Sequence, residues 1–158
     1  LIVLGIDPGT AMTGYGVVER AGSKLTLLDY GCLETPSSHE LPVRLLQIHE
    51  ALDGLVRTHH PDLVGVERLF FNRNVMTAFA VGQARGVALL VAAQHGLPVV
   101  EFGPHEVKIA VTGYGRASKE QVQKMVQALL GMTVLPRPDD AADALAVAIC
   151  SAHGLRAA

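Results

Sequence analysis

Leu1-Ile2-Val3-Leu4-Gly5-Ile6-Asp7-Pro8-Gly9-Thr10 is the stretch on which the fold turns. Six apolar or glycine residues run without a polar break, and a carboxylate then meets a Pro-Gly turn signal. A run of that kind has no outward polar face, so it reads as a strand covered on both sides. Residues 13–19 and 25–34 are rich in strand formers, and only Ala21-Gly22-Ser23 stands near the break between them. Short turns join antiparallel neighbours, so the chain is expected to open as a three-stranded meander. Past Pro36-Ser37-Ser38, Leu41, Leu45, Ile48, Leu52, Leu55 and Val56 recur at helical spacing until His59-His60-Pro61 stops the helix.

Residues 63–66 form a second fully apolar strand, which ends on Glu67. A long helix from about Asn74 to His95 leads to a third core strand over residues 98–102. Helices are expected over 105–111, 118–130 with Ser118 as N-cap, and 140–153. A meander followed by βαβ crossovers predicts an α/β fold with a mixed five-stranded sheet. Three strands are antiparallel, two more are parallel, and helices cover both faces. No repeat or linker divides residues 1–158, so one domain is expected. Sheets of this type place ligands at the carboxyl ends of their parallel strands, where Asp7 and Glu67 stand.

Composition narrows the function classes. With 49% hydrophobic and 18% charged residues the chain can build a core and lacks the signature of disorder. The start has no basic region ahead of its apolar run, so no signal peptide is read there. Residues 75–93 are apolar enough to raise a membrane span, but Gln83 and Arg85 at their centre would be costly in lipid. A buried helix in a cytoplasmic protein is the expectation. Cys32 and Cys150 read as small core residues in a reducing compartment. The net charge of −2 hides a division: residues 1–67 carry −5, residues 68–124 carry +4, and the remainder −1. A basic middle in an acidic chain suits phosphate contact beside a cation-binding acidic cluster.

Three acidic features each end or begin an apolar element. Asp7 and Glu67 close strands, while Asp140 and Asp143 open the last helix, three residues apart and so on one face. Ala141, Ala142, Ala144 and Ala146 leave little bulk around them, which lets that helix approach the sheet closely. Buried carboxylates without matching basic residues stay ionised only if a cation compensates. All-oxygen ligation points to Mg²⁺ or Mn²⁺, and no His/Cys spacing suits zinc. Plainer roles exist for each residue: Asp7 as a turn residue, Glu67 in an ion pair with Arg68 or Arg73, and Asp139, Asp140 and Asp143 as first-turn acids. Asp139 is assigned to capping. Phe70-Phe71, lying between Arg68 and Asn72-Arg73, suits one ring stacking on a splayed base (Phe70) and one plugging the core (Phe71).

Those residues resemble the RuvC family of bacterial Holliday junction resolvases. Gly5-Ile6-Asp7-Pro8-Gly9-Thr10 with Thr13-Gly14-Tyr15-Gly16 is similar to the family's opening. Val66-Glu67-Arg68-Leu69-Phe70-Phe71 with Gly82-Gln83-Ala84-Arg85-Gly86 matches its second motif, and Asp140-Ala141-Ala142-Asp143-Ala144-Leu145 its last. The resemblance implies an RNase H-like fold and a crossover junction endodeoxyribonuclease. Asp7, Glu67, Asp140 and Asp143 would be its catalytic metal ligands, holding two Mg²⁺ or Mn²⁺ ions per site. Phe70 would stack on an unpaired base, and Lys108 and Lys119 would serve catalysis and DNA contact. Arg73 and Arg116, from the basic middle of the chain, are expected as further DNA contacts. It also implies a homodimer on four-way junction DNA, paired nicks with 5′-phosphate and 3′-hydroxyl ends, and the RuvA–RuvB branch-migration complex as a candidate partner. The same opening loop resembles that of actin- and Hsp70-like nucleotide-binding modules. A smaller RuvC-like group that processes RNA, and a binding-only junction protein, are further alternatives.

Overall fold

The computed structural model describes residues 1–68 and 74–154. The chain runs β1 (Ile2–Asp7), β2 (Met12–Ala21), β3 (Lys24–Glu34), α1 (Leu41–His59), β4 (Leu63–Glu67), α2 (Val75–Gln94), β5 (Val99–Phe102), α3 (Pro104–Thr112), α4 (Lys119–Leu129) and α5 (Asp139–Gly154). The five strands form one sheet in the order β3-β2-β1-β4-β5. β1, β2 and β3 are antiparallel neighbours, whereas β4 and β5 run parallel to β1. Each expected element is present, and the mixed sheet is the one the segment pattern predicts.

The local signals act as their chemistry requires. Ser118 caps α4 in a reciprocal capping box completed by Gln121, so Ser118 and Gln121 satisfy amides that the first turn leaves open. His60 ends α1 at φ 49°, in the left-handed region that stops a helix.

Strand alternation sorts the side chains. On one face, Leu4, Ile6, Val17, Val64 and Val66 pack against α1 and α2. On the other, Val3, Val18 and Leu63 pack with α3, α4 and α5. α5 is the central helix of the second face and is buried from Ala144 through Ala152. It lies on a track of glycines. A Cβ on Gly5 would stand 2.7 Å from the Ala148 amide nitrogen, and one on Gly16 would stand 2.6 Å from Leu145 Cδ2. At Gly14 it would collide with the Asp140 carbonyl, and at Gly65 with the Ser151 hydroxyl. Glycine inside a strand marks such a close approach, and the alanines of α5 complete it from the helix side.

α2 is buried along one side only. Its buried residues are Ala84, Ala88, Val91 and Ala92, while Val75, Met76, Phe79 and Leu90 are exposed. The apolar residues outnumber what one contact face can cover, so part of the helix faces outward. By length and composition α2 is also the one described helix that could cross a membrane. Arg85, near its middle, is ion-paired with Glu101 of β5, which ties the helix to the sheet.

Candidate active site

Register places the first two carboxylates. Ile6 pairs with Val66 across the parallel strands, so Asp7 and Glu67 follow side by side at the two carboxyl ends. Both fall on the side-chain set of Gly5 and Gly65, the face that carries α5. The glycine track lowers the start of α5 onto this edge and brings Asp140 into side-chain hydrogen-bonding contact with Asp7. Asp143 and Glu67 are near enough for their charges to act on Asp7 as well.

Crowding changes the chemistry of Asp7. Burial, then the charges of Asp143 and Asp140, push its carboxyl from 3.8 up to about 8. The Asp143 carboxyl is also raised by burial, an effect opposed by the Lys119 ammonium 3.5 Å from its Oδ2. Between about pH 4 and pH 8 the folded chain holds a proton that the unfolded chain has released. Stability of the metal-free protein therefore falls as pH rises through that window and levels off above it. We expect the melting temperature in a chelator to be lower at about pH 8.5 than at about pH 5.5, with Mg²⁺ narrowing the gap. A flat or rising profile would contradict a crowded acidic cluster.

A cleft of about 190 Å³ opens beside these acids, lined by Glu67, Lys108, Lys119 and Asp143 over a floor that includes Val107, Val122 and Val147. It joins the end of β4 to α3, α4 and α5, so both expected lysines share a cavity with two of the expected acids. Arg116 is exposed in the loop before α4 and is not part of the cleft lining. Phe70, Phe71 and Arg73 lie outside the described residues. Arg68 faces Glu106 at 3.7 Å.

Asp139 is a correction. Its carboxylate does not cap α5: Oδ1 accepts from Gln123 Nε2 at 3.0 Å and Oδ2 lies 3.4 Å from Lys119 Nζ. The Pro138 carbonyl accepts from the Ala141 and Ala142 amides, so the helix begins at the proline and Asp139 is already within it. Cys32 is a second correction, for it is half-buried rather than in the core. It sits across from Gly14, which in turn pairs with Asp7, and burial followed by the Asp140 charge pushes its thiol up to about 11.

The donors suit a hard cation in kind: carboxylates crowded enough to retain a proton accept a divalent ion in its place. Among the described residues no three Asp, Glu, His or Cys side chains are drawn into a closed ligand set. Lys119 takes a share of Asp143, at 3.5 Å from its Oδ2.

Residues 3–151 match the family model described as crossover junction endodeoxyribonuclease RuvC. The chain belongs to the RuvC family. The RuvC of Desulfitobacterium hafniense is 55% identical over 98% of this chain and 94% of its own length. The RuvC of Chloroflexus aggregans is 57% identical over 95% of this chain and 92% of its own. A structure of Thermus thermophilus RuvC in complex with a Holliday junction substrate superposes with a TM-score of 0.94. It has 38% identity and covers 99% of this chain and 95% of that one. The yeast mitochondrial Holliday junction resolvase, at 14% identity and a TM-score of 0.63, shares the fold.

Membership in the RuvC family bears out the expected RNase H-like architecture and the expected class of enzyme, a metal-dependent crossover junction endodeoxyribonuclease. A RuvC-family match over nearly the whole chain also sets aside the nucleotide-binding and RNA-processing alternatives.

Proposed function

We propose that this chain forms one nuclease domain that acts as a homodimer on four-way DNA junctions and nicks two opposed strands symmetrically. The observation that carries the reading is the acidic cluster around Asp7, assembled at two strand ends and a helix start beside a cleft holding Lys108 and Lys119. Asp7, Glu67, Asp140 and Asp143 would hold Mg²⁺, or Mn²⁺, with two ions per site. A divalent cation held by those carboxylates would supply activation of a water nucleophile and charge neutralisation at the departing 3′-oxygen.

The remaining work falls to the chain's own groups. Strand register sets Asp7 and Glu67 side by side at the ends of β1 and β4, so both carboxylates are presented from one sheet edge. Lys119, at the cleft rim, neutralises charge growing on the scissile phosphate. Lys108, from α3, lines the same cleft and orients that phosphate. Arg73 and Arg116 contact neighbouring phosphates, and Phe70 stacks on a base at the crossover. Lys119→Ala should lower the cleavage rate more than it weakens junction binding, measured by single-turnover cleavage and by gel shift in Ca²⁺. The reverse split would make Lys119 a phosphate anchor.

The outward face of α2 supports the dimer. Val75, Phe79 and Leu90 fall on one side of the helix, and a Cβ on Gly82 or Gly86 would meet no atom within 4 Å. An apolar stripe of that length with small residues at its centre suits a second copy across a twofold axis. Phe79→Glu is expected to convert a dimer to a monomer by light scattering; an unchanged mass would remove α2 from the interface.

The direct test uses purified protein with a synthetic four-way junction and a linear duplex of the same sequence. Cleavage of the junction in Mg²⁺, in opposed strands and with ends that a ligase reseals, is the expected result. Absence of cleavage on any branched DNA by folded protein would end this reading. Adding the RuvA–RuvB branch-migration complex to the same assay tests that partnership through a change in junction cleavage.

A further inference from the structure

Four side chains make a square between α4 and α5. Lys119 and Gln123 lie one turn apart on α4, and Asp139 and Asp143 lie one turn apart on α5. Lys119 Nζ is 3.4 Å from Asp139 Oδ2 and 3.5 Å from Asp143 Oδ2. The other Asp139 oxygen accepts from Gln123 Nε2 at 3.0 Å. Asp143 belongs to the acidic cluster, whereas Asp139 points to α4. From these contacts we infer that Asp139, held by Gln123, is a positioning residue that keeps the Lys119 ammonium at the mouth of the cleft.

The need for such a tether follows from the lysine. A lysine has a flexible four-carbon stem, and this one is more than half exposed at the first position of its helix. With Asp143 as its sole partner, Lys119 would lose its anchor whenever that carboxylate turned to a cation. Asp139 supplies a second anchor from the same helix. Gln123 fixes its carboxylate by a neutral hydrogen bond, which restrains Asp139 without competing for the ammonium. The square thus keeps Lys119 within reach of a phosphate in the cleft through changes at Asp143. An exposed pair of this kind is worth a modest factor, roughly two- to fivefold in rate.

This inference rests on the proposed role of Lys119 in cleavage, and a double-mutant cycle separates the two. Asp139→Asn, which preserves shape, should lower kcat on a four-way junction roughly two- to fivefold with little change in KM. In a Lys119→Ala background the same substitution should have no further effect on kcat. Gln123→Ala should act in the same direction as Asp139→Asn, and the two together should give less than the product of their effects. Labelling of Lys119 by an amine-reactive reagent, followed by mass spectrometry, should quicken in Asp139→Asn whether or not DNA is present.

An untethered surface acid would behave otherwise. Its neutralisation would lower KM by easing DNA approach and leave kcat and labelling unchanged, and that outcome overturns the inference. A loss of kcat that persists in the Lys119→Ala background also overturns it, because Asp139 would then act through another group. If Lys119→Ala alone leaves kcat intact, the proposed catalytic role of the lysine fails. Labelling in Asp139→Asn then decides whether the tether itself exists.

Discussion

Asp7→Asn is expected to abolish junction cleavage, by at least about a thousandfold, while junction binding changes by no more than a few-fold. Asp7 is the carboxylate on which the others converge. Burial and three neighbouring acids act on it, and one of those acids, Asp140, is in hydrogen-bonding contact. An amide in its place keeps the shape and one acceptor oxygen but loses the charge that a divalent cation requires. The proposed DNA contacts are basic groups away from Asp7, so docking should survive. The same substitution removes the buried acid that destabilises the metal-free fold, so Asp7→Asn should melt higher than the parent in chelator near pH 8. Loss of binding in parallel with cleavage, or a lower melting temperature, would show that Asp7 has a structural role.

Gly14→Ala should be the most damaging substitution outside the acids, on the order of 3 kcal/mol in stability. Gly14 pairs with Asp7 on one side and Cys32 on the other, directly beneath the first turn of α5. An added Cβ would overlap the Asp140 carbonyl and stand 2.9 Å from the Ala141 nitrogen. Both are backbone atoms of a buried helix, so they cannot rotate away as a side-chain tip would. Either α5 lifts from the sheet or β2 bends, and each separates Asp140 and Asp143 from Asp7. We therefore expect denaturant unfolding at a lower midpoint and little cleavage by the folded remainder. Gly54→Ala is the control: it lies within α1, a Cβ there meets no atom within 4 Å, and a gain of about 1 kcal/mol is expected. If both glycines tolerate alanine alike, α5 does not depend on the glycine track.

The α5 helix shows how far sequence could go. Its alanines signalled a close approach, and the glycines within the first, second and fourth strands were the complementary signal, since strand interiors disfavour glycine. Their common face appears once the strands are paired. Arg85 was visible as a charge out of place in an apolar helix, but its partner Glu101 lies sixteen residues on, in a strand that only packing brings alongside. Asp139 looked like a cap because first-turn acids favour that role, and nothing local revealed that Lys119 and Gln123 stood opposite.

Local rules were sufficient for the elements of this chain. Continuous apolar runs made strands, helical spacing made helices, and a carboxylate at each run's end marked Asp7 and Glu67, because an isolated charge beside a core needs compensation. Motif resemblance then joined those residues to Asp140 and Asp143 as one site. Contacts between distant elements were beyond such rules. Asp139 turning to α4, the cleft that gathers Lys108 and Lys119, and the outward apolar face of α2 all depend on how separate elements pack. A residue's neighbours in space are set by strand register and helix approach, and neither is encoded in the spacing of any one segment.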